Sequence, residues 1–327
     1  MCLKGGEYMS VFKKNEKFYH EGSRSYVTIL EYDKSTNYVK VQFHATSDNS
    51  GGVIETDIRT YEYFEKYGRR NPFWKSFHGV GYIGEFKTNP RSGKDMIRFK
   101  LLRIWEDMIA RCYNPNSTNS AKYFHKNVTV DPIWHNFHNF YLWAMDREKS
   151  NYIYDSGMSL DKDLFQLNVK DKIYSPNTCI FLPKWLNTAL VSALDKRDAN
   201  LPLPHGVVYE RSGKFTARVH LAFNGRVFLR SQLHTSYVLA EVYSAYVVVK
   251  EYYMHSMTKY LYDKKMLNDR AMFQIFKIKI SCPQVNNGFI NRNMRTSQIE
   301  LAFKKIDNLI NELKEEDTLK VQRLSKR

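Results

Sequence analysis

The segment KFTARVHLAFNGRVFLR, residues 214–230, decides the architecture of the best-patterned part of this chain. Phe215, Ala217, Val219 and Leu221 alternate with Lys214, Thr216, Arg218 and His220, the period of a strand with one apolar and one basic face. Asn224-Gly225 supplies the two residues of a tight hairpin turn, and the return strand sets Arg226, Phe228 and Arg230 against Val227 and Leu229. Residues 206–210 form a further strand ahead of these two. Thr235 is expected to cap a helix whose buried side carries Leu239, Val242, Tyr243, Tyr246, Val249 and Tyr253. The product is a three-stranded antiparallel sheet with one face on a helix and the other open. Residues 201–234 hold five Arg or Lys against one Glu, and a ribbon of that width fits the major groove of DNA. Arg211, Lys214, Arg218, His220, Arg226 and Arg230 are the candidate DNA-contacting residues.

Working outward, the run Asp195-Lys196-Arg197-Asp198-Ala199-Asn200, followed by Pro202 and Pro204, marks the clearest domain boundary. Towards the C-terminus, residues 264–280 carry a helical pattern and residues 283–293 an asparagine-rich loop. Ser297-Gln298-Ile299-Glu300 then reads as a capping box. Ile299, Phe303, Ile306, Ile310 and Leu313 form the seam of that last helix, which docks on its own domain or on a second copy. The tail, residues 320–327, has four basic residues and no acid.

Upstream, residues 157–186 hold the most plausible chemistry. A short strand over residues 158–163 carries Asp161 and Asp163 at its end, and Ser175-Pro176-Asn177 turns the chain into a later element. Paired carboxylates in that position can hold a divalent cation through oxygen. Ahead of them, Ile97, Leu101, Ile104, Trp105, Met108 and Cys112 mark one apolar helix face, ending before Asn114-Pro115. Val128-Thr129-Val130 is a short strand, and Pro132 opens a second helix with Trp134, Phe137, Tyr141 and Ala144 on one side. His125, His135 and His138 cluster here. Residues 71–95 read as a Gly- and Pro-containing linker or loop. The G-x-G-x-x-G spacing from Gly79 lacks the strand and helix that would make it a nucleotide site. Residues 1–90 show alternating strands at 26–32, 38–43 and 53–58, expected to form a small barrel-like accessory module.

The 327 residues carry 50 Lys and Arg against 34 Asp and Glu, a net charge of +16 that favours polyanions, nucleic acid first. No run of 18 uninterrupted apolar residues is present, so no membrane span is expected, and the first residues lack the apolar core of a secretion signal. Cys2, Cys112, Cys179 and Cys282 form no Cys-x-x-Cys pair, which argues against a disulfide framework or structural zinc and suits a reducing cytoplasm. The 23 tyrosines interleave with Lys and Arg in a way that suits stacking and phosphate contacts.

Two ordered sets of motifs resemble known families. Trp105 through Cys112-Tyr113-Asn114-Pro115, then Val128-Thr129-Val130, Trp134, Phe137 and Phe140, then Leu160-Asp161-Lys162-Asp163 and Tyr174-Ser175-Pro176-Asn177-Thr178-Cys179 resemble the HNH-type endonucleases of bacteriophages. Residues 203–253 are similar to the DNA-binding domain of plant ethylene-response factors, which is often fused to such nucleases. The resemblance implies a ββα-metal core in which Asp161 and a later asparagine, Asn177, hold one Mg²⁺-like ion, with Asp163 of the carboxylate pair as the further candidate ligand. It also implies a catalytic centre of Asp161 with a histidine base. Lys162 fills the histidine slot, and a protonated lysine takes no proton from water, so His125 or His135 would have to supply the base.

The expected architecture is thus α+β. A β-rich, barrel-like module spans residues 1–90 and a degenerate ββα-metal nuclease core residues 91–195. A sheet-plus-helix DNA-binding domain spans residues 201–263 and a helical extension with a basic tail residues 264–327. The expected function is a homing or nicking DNA endonuclease, with a DNA-binding protein carrying a degenerate nuclease core as the alternative. Double-stranded DNA is the expected partner of a monomer or dimer. The expected location is the cytoplasm, that of the host cell if the chain is phage-encoded.

Overall fold

A computed structural model describes residues 14–33, 35–36, 38–56, 60–86, 95–118, 122–154, 157–167, 169–193 and 202–325. The linker residues 87–94, the boundary run 195–200 and the last two residues of the tail lie outside the described residues. The chain forms two compact units, Met1–Met145 with Val169–Thr178, and Asp146–Asn168 with Cys179–Arg327.

The first unit begins with an antiparallel meander of β1 (Lys17–His20), β2 (Ser25–Asp33), β3 (Tyr38–Phe43) and β4 (Gly52–Glu55), in the order β1-β2-β3-β4. Val39, Val41 and Phe43 point inward, as their alternation dictates, and pack with Val27, Ile29 and Ile54. The barrel-like reading is corrected here: β1 pairs with β2, β4 pairs with β3, and the two outer strands do not meet. Closure needs the first and last strands to share a ladder. The inner face is covered instead by Phe64 of helix α1 (Thr60–Tyr67) and by Phe73.

Residues 71–86, expected to be a linker or loop, form an irregular segment built into this unit. Tyr82 N donates to His135 O at 2.8 Å, Phe137 N donates to Tyr82 O at 2.8 Å, and Phe73 and Phe86 are buried. Gly84 has φ +80°, and a Cβ there would lie 2.0 Å from Asn136 Oδ1, so the close approach requires glycine. Helix α2 (Met96–Tyr113) starts on Asp95, whose carboxylate accepts from Arg98 N, and ends at Asn114 ahead of Pro115. Its Trp105 is fully buried, stacks edge-on against Phe77 and donates its indole hydrogen to Trp134 O at 2.6 Å. Strand β5 (Thr129–Val130) runs parallel to β7 (Ile173–Tyr174). Pro132 opens a 3₁₀ turn, Pro132–His135, and helix α3 (Phe137–Met145) follows after Asn136.

In the second unit a short helix α4 (Arg147–Ser150) precedes β6 (Met158–Asp161), which pairs antiparallel with β8 (Ile180–Pro183), and β8 leads into α5 (Lys184–Ala193). Strands β9 (Val207–Tyr209), β10 (Phe215–Phe223) and β11 (Arg226–Ser236) form a sheet in the order β11-β10-β9. Its inner face lies on α6 (Leu239–Asp263), with Ala217, Val219, Leu221, Leu229, Val242, Tyr243 and Val249 in one core. Each such aliphatic side chain contributes about 1.5–3 kcal/mol by leaving water. Thr235 does not cap α6. It lies in β11, while Ser236 accepts from Val238 N at 3.1 Å and donates to Glu241 at 2.7 Å, fastening the entry to the helix. The helical pattern expected over residues 264–280 narrows to α7 (Asp269–Phe276), capped by Asn268.

Helix α8 (Ser297–Ser325) buries Ile299, Ala302, Ile306 and Ile310 in the same core. Its first turn is fastened by Thr296, whose hydroxyl accepts from Ile299 N at 3.2 Å. Tyr252 of α6 stacks on Phe303 at 4.1 Å and donates to Asp307 at 2.7 Å, so α8 docks on its own unit. Among the described residues no helix is long and apolar enough to cross a membrane.

Candidate nucleic-acid interface and the Asp161 turn

The outer face of the three-stranded sheet is basic because the inner face takes every second apolar residue. Arg218 and His220 of β10 and Arg230 of β11 are exposed, whereas Ala217, Val219, Leu221 and Leu229 are at most 2% exposed. The register sets His220 opposite Arg230 and Arg218 opposite Gln232, and these four side chains line a shallow depression. Irregularities between Ala217 and Arg218 and between Leu221 and Ala222 add twist to the ribbon. Asn224 (φ 46°) and Gly225 (φ 78°) make the expected tight turn, which leaves Arg226 exposed at its exit. Arg211 is exposed in the turn between β9 and β10, and Lys214 lies over the Tyr237 ring at 5.2 Å.

Arg218 meets Glu210 at 2.8 Å, with side chains 56% and 34% exposed. A pair that wet contributes about 1 kcal/mol at most, so a phosphate or base edge competes for the guanidinium at little cost. Thr216, read from the sequence as part of the polar face, is buried: its hydroxyl lies 3.0 Å from that of Thr235, which also accepts from Gln232 Nε2 at 2.9 Å.

The ββα order implied for the nuclease core exists in the second unit as β6, β8 and α5. Asp161 ends β6 and is 6% exposed, and its Oδ1 accepts from Asp163 N at 3.0 Å and Leu164 N at 2.7 Å. Lys162 is 8% exposed, and its ammonium pairs with Asp163 Oδ2 at 3.0 Å. Gln166 reaches back to Lys162 O at 2.6 Å, closing the turn. Asn177 is exposed and belongs to the other compact unit. A divalent ion bridging Asp161 and Asp163 would compete with the Lys162 ammonium at Asp163 Oδ2. This donor set therefore does not fit the ion without rearrangement. Among the described residues no group of three His, Cys, Asp or Glu is placed to share a metal ion.

Asn187 on α5 was not singled out from the sequence. Its Nδ2 donates to Ser159 Oγ on β6 at 3.1 Å, and its Oδ1 is sealed from solvent with no hydrogen-bond partner among the described residues. An unpaired buried carbonyl costs about 1–3 kcal/mol. The signal for it was an amide between Leu186 and Ala189 on an otherwise apolar helix face.

The two candidate bases, both in the first unit, differ. His125 is exposed on the 3₁₀ turn Phe124–Lys126, its ring against Phe124. His135 is half-buried, with Nε2 3.2 Å from Tyr113 Oη, and burial is the main cause that lowers its pKa. Tyr113 Oη donates to Val130 O and accepts from Val130 N, so His135 is tied to β5. His138 pairs instead with Glu85 at 3.2 Å, and that hydrogen bond is the main cause lowering the Glu85 pKa.

Comparison with known proteins returned no match to a family model, to a curated protein or to a solved structure.

Proposed function

We propose that this chain is a DNA-targeting protein that engages duplex DNA through the outer face of β9–β11. The carrying observation is the row Arg218, His220 and Arg230, held outward by an inner face that is almost wholly buried. A rigid ribbon of this kind enters the major groove, where arginine donates two hydrogen bonds to guanine. Arg211, Lys214 and Arg226 at the strand ends supply phosphate contacts, and the +16 charge strengthens the encounter. Titration of a labelled duplex with wild type and with Arg218→Ala/Arg230→Ala tests this. The variant binds more weakly and discriminates less between duplex sequences. Equal affinity and equal discrimination would refute the reading.

A second reading, a homing or nicking endonuclease that hydrolyses a phosphodiester bond, is favoured by one observation: the β6–β8–α5 order with Asp161 at the end of its first strand. Incubation with DNA and Mg²⁺ or Mn²⁺ tests it. Strand breaks that disappear in Asp161→Asn support cleavage, and indistinguishable products from wild type and variant remove Asp161 from the reaction.

A further inference from the structure

A second basic corner, which includes His125, lies in the first unit. Lys122, His125 and Lys126 are exposed and interleave with Tyr123 and with Phe124, which is 36% exposed. The turn is held stiffly: Lys126 N donates to Tyr123 O at 3.1 Å, Asn127 N to Phe124 O at 3.1 Å and Val128 N to Tyr123 O at 3.0 Å. Asn127, at φ 53°, reverses the chain into β5. Tyr123 sits beside the Arg111 guanidinium at 5.7 Å and near-parallel to Tyr174 at 6.5 Å. This ties the turn to the end of α2 and to β7, whose approach carries Lys170 and Lys172.

Residues 107–113, 122–127 and 169–174 together hold five Lys or Arg against two Asp. Of the two carboxylates, Asp107 lies 3.9 Å from Arg111, and Asp171 is exposed between two lysines. Lys122, Lys126 and Lys170 are exposed. A single carboxylate or free phosphate satisfies one of them, whereas a duplex repeats its charge every ~1.7 Å along its axis and meets several at once.

We infer that this corner is a second contact for the phosphate backbone of duplex DNA, with Lys122 and Lys126 as the principal contacts and His125 beside them. The inference rests on the DNA-binding reading and assigns His125 to positioning on phosphate, not to proton transfer. Backbone contacts of this type carry no base information, so their loss weakens all sequences alike.

The test is a fluorescence-anisotropy titration of the full chain with duplexes of several sequences over a range of salt. Lys122→Gln/Lys126→Gln changes two exposed side chains, and circular dichroism checks that the fold is kept. The slope of log affinity against log salt falls in magnitude by about 2, near 0.9 per lost phosphate contact, with a similar fold loss for every duplex. An unchanged slope and affinity, in a protein whose Arg218→Ala/Arg230→Ala variant does lose binding, overturns this inference and leaves the sheet reading standing. Failure of the wild type to bind any duplex at low salt overturns both.

Discussion

Replacing Asp161 with alanine destabilises the second unit whatever its catalytic status. Oδ1 of Asp161 accepts two backbone hydrogen bonds, at 3.0 Å from Asp163 N and 2.7 Å from Leu164 N, and the residue is 6% exposed. Alanine leaves both donors without an acceptor, and the Leu164 bond is buried. A buried orphan donor costs about 1–3 kcal/mol, and a bond to a carboxylate is roughly twice as strong as a neutral one. The expected loss for Asp161→Ala is about 3 kcal/mol, while Asp161→Asn, which keeps a carbonyl acceptor, loses about 1 kcal/mol. Urea denaturation followed by circular dichroism reads the global cost. Hydrogen exchange at the Leu164 amide reads the local one, rising about 100-fold in the alanine variant and much less in the asparagine variant. Wild-type stability and exchange in Asp161→Ala would refute the structural role and make the carboxylate available for an ion. A cleavage assay on Asp161→Ala alone is therefore ambiguous, and Asp161→Asn is the variant that isolates chemistry.

Three other outcomes follow from the geometry. Lys250 is 5% exposed, and burial lowers its pKa from 10.5 to about 8. Between those values the unfolded chain binds more protons, so this group's contribution to stability rises with pH through that window and is lost as pH falls to 8. Lys250→Met accordingly stabilises the chain at pH 7 by about 3 kcal/mol, an advantage that fades by pH 10.5 in denaturation curves across pH. Gly206 has φ +79°, and a Cβ there would lie 2.2 Å from the Tyr246 ring, so Gly206→Ala costs more than the ~1 kcal/mol of backbone strain alone, read as a lowered melting temperature. Tyr253→Phe removes a 2.8 Å hydrogen bond to Ala222 O and costs about 1 kcal/mol by urea denaturation, leaving DNA affinity unchanged.

The parts of the fold legible in the sequence are those where one face meets solvent. Val219, Leu221 and Leu229 against Arg218, His220 and Arg230 announce their sheet because period two and burial coincide. The same strands misled at their ends: the register irregularity before Arg218 draws Thr216 inward and keeps Thr235 in β11, and alternation alone does not reveal a bulge. In the N-terminal meander each strand was readable, but closure was not, since it depends on whether β1 and β4 meet, which no local pattern encodes. Residues 71–86 are irregular, as a loop reading expects, but their packing was not legible, because glycines there serve close approach, to Asn136 at Gly84 and to Trp105 at Gly81. At the end of β6, Asp161 and Lys162 were found by motif. Their engagement with Leu164 N and Asp163, and the sealed Asn187 Oδ1, arise from tertiary packing.

The proposed DNA-binding surface is the outer face of β9–β11. Chemical modification of arginine, followed by mass spectrometry with and without saturating duplex, tests it directly. Arg218 and Arg230 are protected by DNA, while Arg103 on α2 and Arg295 before α8, both exposed, stay reactive. Equal modification of Arg218 and Arg230 in the free and DNA-bound chain would contradict it.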